Sequence, residues 1–219
     1  MCKNVSNKME NIVTVISQDG RKEIIDPKQI PGLLISFAGT GNIVILHEPF
    51  TFANSVFRLN TNAFVEIMGG GVGMYNMEIN DDRMGTSRYL IGENFSCNGV
   101  KLYGGWQDET IRIGNDCMFG WDITIFASDF HTLFNKETGI PVNNAKDVVI
   151  GDHVWVGYGV VVMKSSKVAS NSVIGTRAVV AGHFDETNVV LAGNPAAIVK
   201  RGINWSRDSH EVYERKRHE

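Results

Sequence analysis

Six aliphatic residues follow one another at intervals of six in the second half of the chain, without a slip. The residue after each of them is small in five cases of six. A period of six matches neither an amphipathic helix nor a simple hairpin meander. It is typical of a chain that makes a short flat strand, turns a corner and repeats. The six aliphatic residues are Ile150, Val156, Val162, Val168, Ile174 and Val180.

This repeat predicts a triangular solenoid. The aliphatic residue of each strand fills the interior, and the small residue after it lets the backbone turn the corner. Three strands make a coil of about 18 residues, and coils stacked about 4.8 Å apart share backbone hydrogen bonds and enclose one apolar core. A glycine count of 23 in 219 residues fits a chain with many tight corners. The predicted fold is an all-β parallel β-helix of hexapeptide repeats.

The same pattern continues upstream in weaker form. Ile113, Phe119 and Ile125 keep the spacing of six, and Ile91 with Gly92 begins a looser coil. The glycine cluster at 69–73 lacks the Lys-Ser/Thr of a phosphate loop, so we expect a corner there rather than a nucleotide site. Earlier, degraded coils are indicated by Ile43, Ile45, Phe57, Phe64 and Ile67.

Two regions interrupt the repeat. Residues 129–148 have no period, and they predict one long excursion loop; residues 183–188 predict a shorter polar loop. We therefore expect one β-helix domain over residues 1–201, with an irregular N-terminal cap over 1–35. The charged residues 202–219 predict a short C-terminal helical tail that covers the open end of the solenoid, because an uncovered coil exposes unpaired strand edges.

The composition excludes several classes of function. Lys and Arg number 21 against 24 Asp and Glu, so no basic surplus is present for nucleic acid. No stretch approaches the ~18 apolar residues of a membrane span, and the N-terminus lacks the apolar core of a signal peptide. Cys2, Cys97 and Cys117 are odd in number and lack metal-type spacing, which favours reduced thiols in a cytoplasmic protein.

Three segments of the sequence resemble known proteins. The segments "VVIGDHVWVGYGVVVMKSSKVASNSVIGTRAVVAG" and "VVLAGNPAAIVKRGINW" resemble the hexapeptide-repeat acyltransferases. The segment "SDFHTLFNKETGIPVNNAKDVVIGDHVW" resembles the bacterial O-acetyltransferases that modify sialic acid capsules and other surface polysaccharides. The resemblance covers residues 88–206 well and the first 87 loosely. It implies a left-handed β-helix, although parallel crossovers are generally right-handed. It also implies acetyl-CoA as donor, a carbohydrate acceptor and a homotrimer, and no metal is expected.

Acetyl transfer to a hydroxyl needs a base for the alcohol proton and donors for the oxyanion that forms. Histidine suits the first task because its ordinary pKa is about 6.5. His131 opens the long loop, and the resemblance implies that it is the base. Asp129, two residues earlier, either orients the imidazole or caps the loop. The resemblance implies that Trp155, at an outward-facing position, holds the thioester or the acceptor through its N–H donor. His153 faces outward and is expected to be a bystander.

The resemblance further implies a coenzyme A site along the outside of the helix, between two subunits. Lys200 or Arg201 would meet the nucleotide phosphates. Asp122 is expected to contact the acceptor, at a position where related enzymes often carry Asn, and Ala197 stands where some carry Arg. No Ser or Cys lies in a nucleophile setting, and Cys117 should be buried, so direct transfer is preferred. The expected cofactor contacts are Gly157, Tyr158, Thr176, Ala181, Gly182, Lys200 and Arg201.

Three other functions are considered. N-acetylation of an amino sugar uses the same fold and donor, and an amine needs less help from a base. A zinc hydratase needs three converging histidines, and the spacing of His131, His153 and His183 fits this poorly. A non-catalytic scaffold would have no need to interrupt its coils as the His131 loop does.

Overall fold

The computed structural model describes residues 10–81 and 85–218, which wind into a parallel β-solenoid of about seven turns. Cys2 lies outside the described residues. The strands, in chain order, are β1 (Ile12–Ile16), β2 (Lys22–Ile24), β3 (Leu33–Phe37), β4 (Ile43–His47), β5 (Phe52–Ala53), β6 (Ser55–Leu59), β7 (Phe64–Ile67), β8 (Gly73–Tyr75), β9 (Met77–Asp81), β10 (Arg88–Ile91), β11 (Ser96–Cys97), β12 (Val100–Gly104), β13 (Thr110–Ile113), β14 (Met118–Phe119), β15 (Ile123–Phe126), β16 (Val148–Ile150), β17 (Trp155–Val156), β18 (Val161–Val162), β19 (Lys167–Val168), β20 (Val173–Ile174), β21 (Val179–Val180), β22 (His183–Phe184), β23 (Val189–Ala192) and β24 (Ala197–Arg201). One 3-10 turn (Pro27–Gln29) and one helix, α1 (His210–Arg217), complete the described elements.

The strands form three sheets in which every third strand pairs in parallel, as stacked coils require. The nine-strand sheet has the order β2-β1-β4-β7-β10-β13-β16-β19-β22, the eight-strand sheet β24-β23-β20-β17-β14-β11-β8-β5, and the seven-strand sheet β21-β18-β15-β12-β9-β6-β3. Only the outermost pairs, β1 with β2 and β23 with β24, are antiparallel among the described strands. The predicted all-β solenoid with one long loop and a short C-terminal helix is confirmed.

The interior is lined by the residues that set the repeat. All six aliphatic residues between Ile150 and Val180 are at most 1% exposed. Full burial of such a side chain stabilises the fold by about 1.5–3 kcal/mol. At Gly157 a Cβ atom would lie 2.9 Å from the backbone nitrogen of Thr176 on the next coil. The glycine is therefore required by the close approach of two coils.

The coils of the N-terminal half are wider than the repeat predicts. Val149 pairs with Lys167, 18 residues on, but Leu33 pairs with Ser55, 22 residues on. Strands such as β6 and β12 have five residues where β18 has two. The longer strands explain why a period of six is lost upstream.

The upstream residues that indicated earlier coils do lie on strands, but three of them do not face the interior. Ile43 is 38% exposed and Ile45 and Phe64 are partly exposed, whereas Val44 and Val65 are fully buried. Successive residues of a strand point to opposite faces, so a misjudged phase of one residue exchanges inside and outside. Phe57 and Ile67 do lie inside, as expected.

Two buried carboxylates close corners between the seven-strand and nine-strand sheets. Glu109 accepts hydrogen bonds from the backbone N–H groups of residues 105–107 at 2.6–3.0 Å. Asp81, only 4% exposed, accepts from the N–H of Asn60 at 3.2 Å and the hydroxyl of Tyr89 at 3.3 Å. Burial raises the pKa of Asp81 to about 6. This carboxyl is therefore ionised at neutral pH only at a cost to the fold.

The C-terminal tail lies along the side of the solenoid and does not cross its open end. Trp205 stacks on His153 with ring centroids 4.3 Å apart, and its indole N–H donates to the carbonyl of His153 at 2.9 Å. Arg207 donates to Asp116 at 3.1 Å and to the carbonyl of Cys117 at 3.0 Å. The expectation that the helix covers the open end is therefore wrong. Strand β24 pairs along the last coil, and the exposed α1 follows the segment that Trp205 and Arg207 attach to the side of the solenoid.

None of the helices in the described part of the chain has the length and apolar character needed to span a bilayer.

Candidate active site

The excursion loop leaves the solenoid after β15 and returns at β16. It folds back on itself, with an antiparallel bridge between Phe134 and Pro141 and a hydrogen bond of 2.8 Å from the N–H of Val142 to the carbonyl of Leu133. Four large apolar side chains of this hairpin are 60–65% exposed: Leu133, Phe134, Ile140 and Val142. The loop is thus an ordered projection from one edge of the solenoid.

A lysine on the next coil ties both ends of the loop. The Nζ atom of Lys164 lies 2.7 Å from Oδ2 of Asp129 and 3.0 Å from the carbonyl oxygens of Asn143 and Asn144. The side-chain amide of Asn143 donates to Asp129 and to the carbonyl of His131, both at 2.8 Å. These contacts fix the start of the loop against its end.

Asp129 caps the loop in this arrangement. Burial alone would raise the pKa of its carboxyl, but hydrogen bonds from Lys164 and Asn143 outweigh burial and hold the pKa below the ordinary value. Its carboxylate oxygen Oδ2 is shared between those two donors, and no hydrogen bond to the ring of His131 occurs among the described residues. Of the two roles considered for Asp129, this geometry matches the cap.

His131 combines a fixed backbone with a free side chain. Its N–H donates to the carbonyl of Asp129 at 2.7 Å, and its carbonyl accepts from Asn143. The side chain is exposed, and within residues 10–81 and 85–218 its ring has no hydrogen-bond or stacking partner. An imidazole so placed can accept a proton from a bound hydroxyl.

Trp155 lies on a different face from the His131 loop. It is on β17 of the eight-strand sheet, 41% exposed, with its ring 6.3 Å from that of Trp205. His131 follows β15 of the seven-strand sheet. No described hydrogen bond or ring contact joins the two side chains within one chain.

Asp122 and Tyr158 meet through a residue that the sequence did not single out. The guanidinium of Arg177 lies 4.6 Å above the ring of Tyr158 and donates to its hydroxyl at 3.1 Å. The same group is 3.9 Å from a carboxylate oxygen of Asp122. Together they form a polar cluster at the edge between the eight-strand and seven-strand sheets, where Gly157 and Thr176 also lie.

The other expected cofactor contacts are at separate places. Ala181 and Gly182 follow β21, on the edge that carries Lys164 and the His131 loop, and a Cβ at Gly182 would meet nothing within 4 Å. Lys200 and Arg201 are exposed on β24, and Arg201 is paired with Glu186 at 3.0 Å. The residues expected to contact the cofactor are therefore spread over both edges of the seven-strand sheet and the last coil of the solenoid.

Known proteins share the sequence and the fold of this chain in part. No family model matches the chain. It is 42% identical over 97 residues to the polysialic acid O-acetyltransferase of Neisseria meningitidis, covering 44% of this chain and 45% of that one. The corresponding enzyme of Escherichia coli O1:K1 is 36% identical over 97 residues, covering 44% and 31%. The crystal structure of the polySia-specific acetyltransferase NeuO superposes with a TM-score of 0.75 at 26% identity, over 96% of this chain and 95% of that one.

This chain is similar in sequence and in fold to sugar O-acetyltransferases. The chain spans less than half the length of these two curated relatives. The resemblance stated from the sequence is confirmed. Within the described residues, no group of three or more His, Cys, Asp or Glu side chains could hold a metal ion.

The two cysteines in the described residues are poorly suited to act as nucleophiles. Cys97 and Cys117 are unpaired and buried, and burial raises the pKa of each thiol to about 12. This matches the expectation that Cys117 is inert, since only the thiolate is a strong nucleophile.

Sequence reasoning missed Lys164, Asn143 and Arg177, and it treated His153 as a bystander. Lys164 and Arg177 occupy variable positions of the repeat, so the spacing carries no signal for them. Asn143 lies in a region without period. His153 was expected to face outward as a bystander, but its Nδ1 is 2.6 Å from Asp116 and its ring stacks on that of Trp205.

Proposed function

We propose that this protein transfers an acetyl group from acetyl-CoA to a hydroxyl of a sugar in a bacterial surface polysaccharide, with sialic acid as the leading candidate. The observation that carries the proposal is His131: its ring has no hydrogen-bond or stacking partner among the described residues, and its backbone is held by hydrogen bonds to Asp129 and Asn143. Homology to polysialic acid O-acetyltransferases supports the acceptor class.

In the proposed reaction His131 is the general base. The sugar hydroxyl oxygen attacks the thioester carbonyl carbon while its proton passes to the imidazole. The tetrahedral intermediate then expels the sulfur of coenzyme A, and the imidazolium returns the proton to that sulfur. The products are the O-acetyl sugar and free coenzyme A, and the base is regenerated.

The complete site is proposed to form between subunits of a homotrimer. His131 stands at one edge of the seven-strand sheet, and Trp155 lies beyond its other edge. A neighbouring subunit that presents its Trp155 edge to this His131 edge would bring base and indole donor to one cleft. The Trp155 N–H then serves the thioester or the developing oxyanion, and Asp122 contacts the acceptor.

The donor is proposed to run from this cleft toward the last coil. Open space beside Gly182 admits the pantetheine arm along the backbone. Lys200, which has no ion-pair partner among the described residues, is the better candidate for the phosphates because Arg201 is paired with Glu186. We propose that the reaction takes place in the cytoplasm, where acetyl-CoA is the donor.

The test is acetyl-CoA turnover with a panel of sialylated, neutral and amino sugars, measured as free thiol release. We expect activity with a sialylated or other hydroxyl acceptor, and a product whose acetyl group is removed by mild alkali. His131→Ala should lower turnover by roughly 10²–10⁴-fold, whereas the control His183→Ala, on β22, should not. An alkali-stable product formed only with amino sugars would favour N-acetylation, and full activity of His131→Ala would remove the base.

A further inference from the structure

Phe130, directly before His131, has a backbone conformation that phenylalanine rarely adopts. Its φ is +61°, and the hydrogen bond from the N–H of His131 to the carbonyl of Asp129 spans it. A three-residue hydrogen bond over a positive φ defines a strained form of γ-turn. Of the twelve described non-glycine residues with positive φ, eight are Asn or Asp, which tolerate this region. A bulky aromatic at such a position needs an explanation in its surroundings.

The ring of Phe130 is packed against two strands of the seven-strand sheet. Tyr103 of β12 and Phe126 of β15 are register partners whose rings stack with centroids 5.1 Å apart at 19°. Phe130 meets both edge-on, at 6.1 Å and 83° and at 6.2 Å and 80°. Offset and edge-to-face pairs are the favoured aromatic arrangements. The ring thus links the strained turn to the rigid outer face of the solenoid.

Polar contacts hold the same turn on its other side. The hydroxyl of Ser128 accepts from the N–H of Phe130 at 3.0 Å, and Asn143 donates to the carbonyl of His131 at 2.8 Å. Strained backbone persists only where its surroundings over-determine it. Together these contacts hold the backbone of Phe130 and His131, and none of them involves the side chain of His131.

We propose that Phe130 is a positioning residue for His131. Its ring, packed on Tyr103 and Phe126, holds the γ-turn that sets the direction in which the His131 side chain leaves the backbone. The ring itself contacts no reacting atom. This inference rests on the proposed role of His131 as base, because small misplacements of a general base cost rate.

The first test compares Phe130→Ala with Phe130→Tyr. Loss of the ring should lower kcat at least ~10-fold while KM for acetyl-CoA changes less than ~2-fold, and Tyr, which keeps the ring, should stay within ~3-fold of the parent. The control is Phe64→Ala, which removes an outward aromatic from β7 of the nine-strand sheet. If circular dichroism and gel filtration show that Phe130→Ala is misfolded, kcat and KM of Phe130→Leu are compared with those of Phe130→Tyr instead.

The second test adds Phe130→Ala to His131→Ala. A residue that acts through His131 has nothing left to position once the imidazole is gone, so the residual rate of the double variant should match that of His131→Ala within ~2-fold. An equal loss in both backgrounds, or a parent-like kcat for Phe130→Ala, would overturn the inference. Full activity of His131→Ala would instead overturn the proposed base, so the two failures are distinguishable.

Discussion

Replacing Asp81 by Asn should stabilise the protein at neutral pH by an amount that depends on pH. The pKa of the buried carboxyl is about 6 against an ordinary value of 3.8. One pKa unit of difference between folded and unfolded chains is worth about 1.4 kcal/mol, so ionisation of Asp81 costs the folded state about 3 kcal/mol. Asn keeps an acceptor for the N–H of Asn60, and its amide can donate to the oxygen of Tyr89.

The sign follows from proton linkage. Because the folded-state pKa is raised, the cost is absent below pH 3.8, where the carboxyl is protonated in both states. It grows as the pH rises toward about 6 and is constant above that value. The free energy of unfolding of Asp81→Asn should therefore exceed that of the parent by about 3 kcal/mol at pH 8 and by less than about 1 kcal/mol at pH 4.

Urea unfolding of both proteins at equal concentration, at pH 4 and at pH 8, measures this difference. At pH 8 the melting temperature should rise by about 6–12 °C, since about 2–4 °C corresponds to 1 kcal/mol in a chain of this size. Comparing variant and parent at each pH cancels the titration of all other groups. A stability difference that is the same at pH 4 and pH 8, or one that is larger at pH 4, would refute the reasoning.

Three further perturbations have defined outcomes. Trp155→Ala should impair acetyl transfer without unfolding the protein, and hybrid trimers reassembled from Trp155→Ala and His131→Ala chains should regain activity. Hybrids as inactive as the separate variants would exclude a site shared between subunits. A fully active monomer, measured by light scattering, would exclude the trimer. Lys164→Met should cost about 1–3 kcal/mol of stability, because Asp129 loses its charged partner. The variant loop should also be cleaved rapidly in limited proteolysis. A loop as resistant as that of the parent would contradict the conclusion that Lys164 ties the two ends of the loop. Trp205→Ala should release the C-terminal segment, seen as faster hydrogen exchange over residues 203–218, while Tyr213→Ala, whose side chain is half exposed, serves as the unaffected control.

The loop shows where prediction from sequence ended. The break in period at Asp129 was visible, and so was a histidine at its start. Its hairpin, its Lys164 clamp and the γ-turn at Phe130 were not, because each depends on residues that meet only after the coils have stacked.

The sequence by itself determined the solenoid, its buried aliphatic ladder and the position at which the chain leaves it. A repeat of six is a local rule, imposed by the packing of each strand on one interior, so it can be read from consecutive residues. Tertiary structure decided the width of the N-terminal coils, the capping role of Asp129, the latch of Trp205 on His153 and the placement of His131 and Trp155 beyond opposite edges of one sheet. Those features depend on register between coils and on contacts between residues as far apart as Cys117 and Arg207, and spacing along the chain does not encode them.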